Sequence, residues 1–268
     1  MDKIAVDQSL ALLNLSAVRY FDSLDSTNLE AARWLSMGAP HLALVLADEQ
    51  TSGRGRAGRR WITLPSSALA FSLILDGSTL PENRVVSRLT GLGAVAVAQT
   101  LEQVYGLPAQ IKWPNDVLIA GDKVAGVLVE THWIGDMLAG AILGIGINVT
   151  ADSLPPPEEL TFPAGCIEIA YGKPVDRLAL LREVLQGLLS WLPKLNTAEF
   201  LTEWEKRLAY FGKQVKILGG LATPLNETKQ VYQGRLVGLD PFGRLRVLDE
   251  AGDLIVIDTG ELMLRSAE

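Results

Sequence analysis

Cysteine and histidine are scarce in this sequence. Its 268 residues contain one cysteine, Cys166, and two histidines, His41 and His132. A single cysteine excludes an internal disulfide framework, and its neighbours in AGCIEIA predict a small buried core residue. The histidines have no metal-motif spacing, so we expect each to be structural. The composition fits a reducing compartment and disfavours a metal cluster built from Cys and His.

Long apolar runs and excess positive charge are also lacking. No uninterrupted apolar stretch reaches membrane-spanning length, and MDKIAVDQSLALLNL lacks the basic-then-apolar order of a signal peptide. The 24 Lys and Arg face 31 Asp and Glu, which gives a net charge of −7. Such a surface repels nucleic acid. We therefore expect a soluble, cytoplasmic protein with no nucleic-acid or membrane partner.

The hydrophobic pattern predicts an α+β fold with a second, smaller domain. One helix begins inside DSTNLEAARWL, and another covers 83–104, where Gly91 and Gly93 would allow close packing on a sheet. Helical periodicity returns at 178–191 and 198–210. After Gly212, short strands with glycine turns predict a small barrel, so we expect domains at 1–212 and 213–268. Strands are predicted before that boundary at 18–21, 42–47, 68–75, 110–113, 117–119, 124–131 and 137–149.

The stretch GRGRAGRR at residues 53–60 matches the G-x-G-x-x-G of a dinucleotide-binding turn. That turn must follow a strand directly and open a helix. Here five polar residues separate Gly53 from the preceding strand, and Pro65 with β-branched neighbours leaves no room for a helix. Four arginines suit a loop that clamps anionic oxygens. We predict an anion-binding loop between two strands, the alternative being a solvated basic hairpin tip.

The segment Asp25-Ser26-Thr27-Asn28 carries more hydrogen-bonding side chains than a helix start requires. Thr27 and Glu30 have capping-box spacing, and a cap by Ser26 or Thr27 is the simpler explanation for either residue alone. Three consecutive polar side chains at a helix N-terminus can also hold a neutral group such as a ureido or an amide.

Two further segments carry candidate charged groups. In KWPND, Pro114 ends a strand, so Asn115 and Asp116 have a turn role by default, while a carboxylate near a phosphate loop is also suited to Mg²⁺. In KVAGVLVE, Lys123 is either an exposed hairpin lysine or a partner for a carboxylate anion, and Gly126 would let another group approach the backbone.

Together the four segments supply what the activation of a carboxylic acid by ATP requires. The carboxylate must attack the α-phosphate against like-charge repulsion, so cations must neutralise both anions and the departing pyrophosphate. The sequence offers a polar cradle, an arginine clamp, a possible metal carboxylate and a lysine for the acid. No G-x-S-x-G nucleophile motif competes with this interpretation.

These segments, in this order, resemble the biotin protein ligases. The resemblance extends over nearly the whole chain, and GRGRAGRRW together with KWPND is its most specific part. It implies an α+β catalytic domain related to class II aminoacyl-tRNA synthetases, a mixed sheet with helices, followed by a small SH3-like β-barrel. It implies a biotin--[biotin carboxyl-carrier protein] ligase that converts biotin and MgATP to biotinyl-5′-AMP and then biotinylates a lysine of a carboxyl carrier domain.

The resemblance also implies roles for individual residues. Lys123, Arg56 and Asp116 would be catalytic, with Asp116 also near the metal. Trp61 would lie over the adenine, and Arg265 would bring the small domain to ATP. The biotin-binding set would be Ser26, Thr27, Asn28, Gln50, Arg54, Gly55, Arg56 and Lys123. The ATP-binding set would be Arg54, Arg56, Arg59, Trp61, Asn115, Asp116, Gly144, Gly146, Asn148 and Arg265.

Other interpretations remain at this point. A lipoate protein ligase would share the adenylation logic, although GRGRAGRRW argues against it, and a non-catalytic biotin- or nucleotide-binding module would not need Lys123 or the arginines. Bifunctional relatives begin with a DNA-binding domain, whereas DSTN here starts at residue 25, so we do not expect a repressor. A homodimer is conceivable through strands near 140–149.

Overall fold

A mixed seven-stranded sheet with helices on both faces forms the larger part of the molecule. The computed structural model describes residues 1–80, 85–156, 158, 160, 162–221 and 230–263. The strand order is β1-β2-β3-β7-β6-β5-β4, with β1 and β2 parallel and the other neighbours antiparallel. The strands are β1 (Ala17–Leu24), β2 (Ala43–Gln50), β3 (Ala68–Asp76), β4 (Ala109–Lys112), β5 (Asp116–Ile119), β6 (Asp122–Ile134) and β7 (Met137–Asn148).

The helices confirm the predicted α+β class and add two short elements. The predicted helices correspond to α2 (Thr27–Ser36), α3 (Val85–Tyr105), α5 (Arg177–Trp191) and α6 (Ala198–Glu205); the additions are α1 (Lys3–Leu10) and α4 (Ile167–Tyr171). Helix α6 is shorter than predicted because the chain leaves it to bond with the edge of β4. There Ile111 N donates to Arg207 O at 2.6 Å and Ala209 N donates to Ile111 O at 2.9 Å.

One face of the sheet carries the main hydrophobic core. Alternate residues such as Leu46, Phe71 and Ile145 are buried there together with residues of α3 and α5. Gly93 of α3 allows close contact with the sheet, because an added Cβ would lie 2.9 Å from Val127 Cγ1. Gly91 contacts α6 instead, where the same atom would overlap Trp204. The predicted close packing on the sheet is confirmed for Gly93 and is wrong for Gly91, which packs on α6.

The opposite face is covered over part of its area by α2. Ala31 packs there with Val45, Ile74 and Ile142 in a smaller cluster. Because directly paired strand residues share a face, Ser72, Gly144 and Gly146 lie on this same side, beyond that cluster. Small residues replace large apolar ones there, and this is where the cavity described below is found.

Strand β7 has no free edge over the range in which we considered dimer pairing. Residues 140–148 bond to β3 on one side, and residues 137–147 bond to β6 on the other. The prediction that strands near 140–149 pair across a homodimer is therefore wrong, because both edges of β7 are already bonded within the chain.

The C-terminal strands close into the expected small barrel, in the order β10-β11-β8-β9. The barrel docks on the larger part through the turn before β10 and the end of β9. In the turn, Gly243 O accepts from Trp113 Nε1 at 3.0 Å, and at the end of β9, Leu239 N donates to Glu205 Oε1 at 2.6 Å. The contact places the barrel directly against the KWPND segment. The strands are β8 (Gln214–Leu221), β9 (Gln230–Leu239), β10 (Leu245–Leu248) and β11 (Leu254–Met263).

Candidate active site

A single cavity of about 350 Å³ collects the predicted site residues. Its volume lies in the usual range for small-molecule sites, roughly 300–1,000 Å³. Arg265 lies outside the described residues. The others all line the cavity: Ser26, Thr27, Asn28, Gln50, Arg54, Gly55, Arg56, Arg59, Trp61, Asn115, Asp116, Lys123, Gly144, Gly146 and Asn148. The four separate segments therefore meet at one place on the open half of the sheet.

The sequence predicted that a side chain caps the start of α2, and this prediction is wrong for the described helix start. Ser26 is the N-cap residue, and within the described helix start its side chain makes no cap hydrogen bond. Thr27 is already the first helical residue. Asp25 turns back along the helix to Arg33, whose hydrogen bond holds the pKa of the Asp25 carboxyl below its usual value. The polar side chains of this segment are thus available for something other than helix capping.

Thr27 and Asn28 belong to a buried hydrogen-bond chain. Gln50 Oε1 accepts from Thr27 N at 2.8 Å and lies 3.2 Å from Thr27 Oγ1. Ser72 Oγ lies 2.6 Å from Asn28 Oδ1 and 2.8 Å from Thr27 Oγ1, and its single proton serves one of these oxygens. Ser72 gives no signal in the sequence, because AFSLIL resembles an ordinary buried strand.

The arginine stretch forms a hairpin-like loop between β2 and β3, which confirms the predicted position between two strands. Gly55 N donates to Arg59 O at 2.7 Å, and Trp61 N donates to Gly53 O at 2.9 Å. Arg54 Nη1 lies 3.0 Å from Glu130 Oε1, while Arg56 Nη1 donates to Asn115 Oδ1 at 3.0 Å. The loop is therefore bonded at two points across the cavity, to β6 at Glu130 and to the turn before β5 at Asn115.

Lys123 and Asp116 form an ion pair inside the cavity. Lys123 Nζ lies 2.6 Å from Asp116 Oδ1, and both side chains are largely buried. The backbone of Lys123 is fixed by the segment before α4, since Lys123 N donates to Pro163 O at 2.9 Å and Gly165 N donates to Lys123 O at 3.0 Å. The ammonium is therefore held on a rigid strand start, which differs from an exposed hairpin lysine.

Glycines 126 and 146 make room for the indole of Trp61. A Cβ at Gly126 would lie 3.1 Å from Trp61 Cζ3, and one at Gly146 would overlap the indole ring. Gly144 likewise leaves the space that the Asn28 side chain occupies. The approach predicted at Gly126 is confirmed, and the approaching group is Trp61. Trp61 is half-buried and lines the cavity.

Lys112 and Phe162 also line the cavity, although neither was among the predicted site residues. Lys112 is buried, with Nζ 3.8 Å from the centre of the Phe162 ring. The sequence could have indicated Lys112, because it lies in the same KWPND segment as the predicted site residues Asn115 and Asp116. Phe162 had no such signal, since it follows the proline-rich break.

Comparison with known proteins identifies the family. A family model described as "Biotin/lipoate A/B protein ligase family" matches residues 20–148. The Bacillus subtilis bifunctional ligase/repressor BirA is 39% identical over 229 residues, which cover 84% of this chain and 67% of that protein. The biotin--[acetyl-CoA-carboxylase] ligase of Paracoccus denitrificans is 32% identical over 240 residues, covering 87% and 94%. This chain belongs to the biotin protein ligase family.

Solved structures of the family agree with the fold. A biotin protein ligase from Aquifex aeolicus in complex with biotin and ATP superposes with a TM-score of 0.77 at 31% identity, covering 94% of this chain and all of that one. Membership in this family makes the chain a ligase enzyme, which rules against the non-catalytic binding module. Among the residues that the structure describes, none of the helices is long and apolar enough to span a membrane.

Proposed function

We propose that this ligase activates biotin with ATP as biotinyl-5′-AMP and transfers the biotinyl group to a lysine of a biotin carboxyl carrier domain. The observation that carries the proposal is the Lys123–Asp116 ion pair at 2.6 Å in a cavity that also holds the arginine loop and the polar cradle. The named activities of the relatives, biotin--[acetyl-CoA-carboxylase] ligases, support the same assignment.

In the first half-reaction, a biotin carboxylate oxygen forms a bond to the α-phosphorus, and the bond from that phosphorus to the bridging oxygen breaks. Pyrophosphate leaves with the electron pair, so the step needs no proton transfer. It does need positive charge on both sides of the attack. Lys123 has three N–H donors, so it can bind the biotin carboxylate while retaining Asp116. Arg54 and Arg56 would hold the phosphate oxygens from the loop.

In the second half-reaction, the acceptor lysine amine forms a bond to the acyl carbon, and the bond from that carbon to the adenylate oxygen breaks. AMP leaves, and the amine must lose a proton to give a neutral amide. Asp116 is a carboxylate beside Lys123 that can receive this proton when the acceptor lysine enters. Lys123 would meanwhile stabilise negative charge on the acyl oxygen.

Mg²⁺ fits this site as part of the ATP complex. In the described ranges, no three His, Cys, Asp or Glu side chains come together as a metal-binding group. Asp116 is the cavity carboxylate beside the arginine loop, and the triphosphate would bring most of the oxygen ligands that Mg²⁺ prefers. We therefore assign the metal to the substrate and give Asp116 a supporting role.

We further propose that residues 1–212 form a catalytic domain related to class II aminoacyl-tRNA synthetases and that 213–268 form an SH3-like domain. The closed order of β8 to β11 supports the second assignment. The contact of this barrel with Trp113, beside KWPND, supports a role for it near the nucleotide. Arg265 is our proposed contact from this domain to ATP. A cytoplasmic location follows from the proposed acceptor.

The decisive experiment is exchange of labelled pyrophosphate into ATP by the purified protein, with biotin, lipoate or octanoate as the acid. We expect exchange with biotin, followed by biotin transfer to a purified carrier domain when that domain is added. Exchange with lipoate in place of biotin would show that the protein is a lipoate protein ligase. Exchange with none of the acids would disprove the proposed function.

A further inference from the structure

Glu130 is a carboxylate beside the cavity that belongs to none of the catalytic or binding sets above. It lies on β6, and its direct strand partner on β7 is Ile142. Its two oxygens have different partners: Oε1 lies 3.0 Å from Arg54 Nη1, and Oε2 accepts from Asn28 Nδ2 at 2.7 Å. Arg54 and Asn28 both line the cavity. One carboxylate thus connects the arginine loop to the polar cradle.

The contact with Glu130 determines how the Asn28 amide is oriented. An ionised carboxylate only accepts hydrogen bonds, so the side of Asn28 that faces Glu130 must be the NH₂ group. The same NH₂ lies 3.4 Å from Leu128 O, a second acceptor. Asn28 Oδ1 is therefore fixed on the other side, against Ser72 and over Gly144. The cradle presents a carbonyl oxygen there, which suits an N–H donor such as that of a ureido group.

The contact with Arg54 gives the same carboxylate a second role. Arg54 shares its loop with Arg56, Arg59 and Arg60, and like charges repel one another. Glu130 neutralises one of these charges and holds it on the cradle side of the cavity. The Arg54 side chain is 46% exposed, so the pair is worth little to global stability, but it places the guanidinium beside the Asn28 amide.

We propose that Glu130 is a positioning residue for biotin binding, which sets the Asn28 amide and the Arg54 guanidinium in one geometry. This inference rests on the proposed function, because it requires that Asn28 and Arg54 meet biotin. Glu130 acts through these two side chains and has no assigned contact with the reacting atoms, so its loss weakens the binding of biotin more than it slows the chemical step.

The test compares Glu130→Gln with Asp136→Asn, which removes the same charge from the exposed tip of the same hairpin. Biotin affinity is measured by calorimetry without ATP, and KM and kcat by pyrophosphate exchange. In Glu130→Gln the neutral amide no longer forces the Asn28 orientation or pairs with Arg54. We expect Kd and KM for biotin to rise about tenfold, since a charge-assisted hydrogen bond is lost. We expect kcat within about twofold of the wild type, and Asp136→Asn unchanged.

A double-mutant cycle tests the connection itself. In an Arg54→Ala background, Glu130→Gln can disturb only Asn28, so its effect on biotin Kd shrinks clearly below the tenfold seen alone. Additive effects, an unchanged Kd in Glu130→Gln, or a fall in kcat as large as the rise in Kd would each overturn the inference. Wild-type protein that binds no biotin would instead disprove the proposed function, so the two failures are distinguishable.

Discussion

Several charged and amide side chains that line the cavity are paired with one another. Lys123 pairs with Asp116, and Arg56 with Asn115. Pairing avoids the cost of burying an isolated charge. It also means that an anionic substrate joins an existing network, so the cation it needs is already aligned.

Lys123 is the residue whose charge the chemistry needs most. Replacing it by methionine keeps the apolar stem and removes the ammonium, so the biotin carboxylate and the α-phosphate repel each other without a mediator. We expect biotin-dependent pyrophosphate exchange to fall about 100-fold or more. The control is Lys173→Met, which removes an equal charge outside the cavity. Full exchange in Lys123→Met would show that our assignment of this lysine is wrong.

Ser72 is expected to act on biotin binding through its neighbours. Ser72→Ala removes the hydroxyl that lies between Thr27 Oγ1 and Asn28 Oδ1. A lost buried hydrogen bond lowers the free energy of unfolding by about 1–3 kcal/mol, and we expect KM for biotin to rise with little change in kcat. Chemical denaturation and exchange kinetics measure both effects. The exposed Ser190→Ala is the control, and equal KM values in the two variants would exclude this role.

At the scale of helices and strands, the sequence predicted most elements and some of their contacts. The sheet strands alternate apolar and polar residues or form buried runs, so their positions follow from burial. Helix α1 was missed because Val6 and Leu10 are its only buried residues, too few for a periodic signal. The capping prediction at Ser26 failed because local spacing does not reveal that Gln50 and Ser72 lie opposite Thr27. Contacts between distant strands decide those roles.

The glycines of β7 form the floor of the cavity, and Gly146 offers a direct test. In Gly146→Ala the new methyl overlaps the Trp61 indole, which must move. We infer that Trp61 lies over the adenine, so we expect weaker ATP binding and lower exchange activity when the indole is displaced. Gly187→Ala in α5 is the matched control: its Cβ meets Ala96 Cβ at an ordinary 3.5 Å, and alanine favours a helix. Equal ATP affinities in the two variants would contradict this prediction.

At the scale of the whole molecule, the barrel and the sheet are connected beside the active site. Gly243 O accepts from Trp113, and Trp113 directly precedes the turn that carries Asn115 and Asp116. No local pattern in the sequence indicates this contact, since the two segments are 130 residues apart. The pattern of short strands and glycine turns predicts a barrel, but the docking position of the barrel depends on surfaces that exist only after folding.

Gly243 tests how far this docking supports catalysis. Its φ is +78°, and an added Cβ would lie 2.5 Å from Trp204 Cζ3, so Gly243→Ala must displace the turn from the larger part. Gly252→Ala provides the control: its φ is +88°, yet no atom lies within 4 Å of the added Cβ. Both variants carry similar backbone strain, and only the first disturbs the docking. We expect a lower melting temperature and lower exchange activity in Gly243→Ala than in Gly252→Ala. Equal values in the two variants would show that the docking of the barrel does not support the activity of the site.

Next to the half of the sheet that α2 covers, Gly144 and Gly146 leave room for the Asn28 side chain and the Trp61 indole, and the cavity lies over these side chains. A ligand in that space completes the second layer of the fold while it is bound. Binding to the folded state alone also shifts the folding equilibrium toward that state. The working lifetime of this enzyme should therefore follow the supply of the vitamin it consumes: protein starved of ligand would open and be degraded sooner than protein kept loaded.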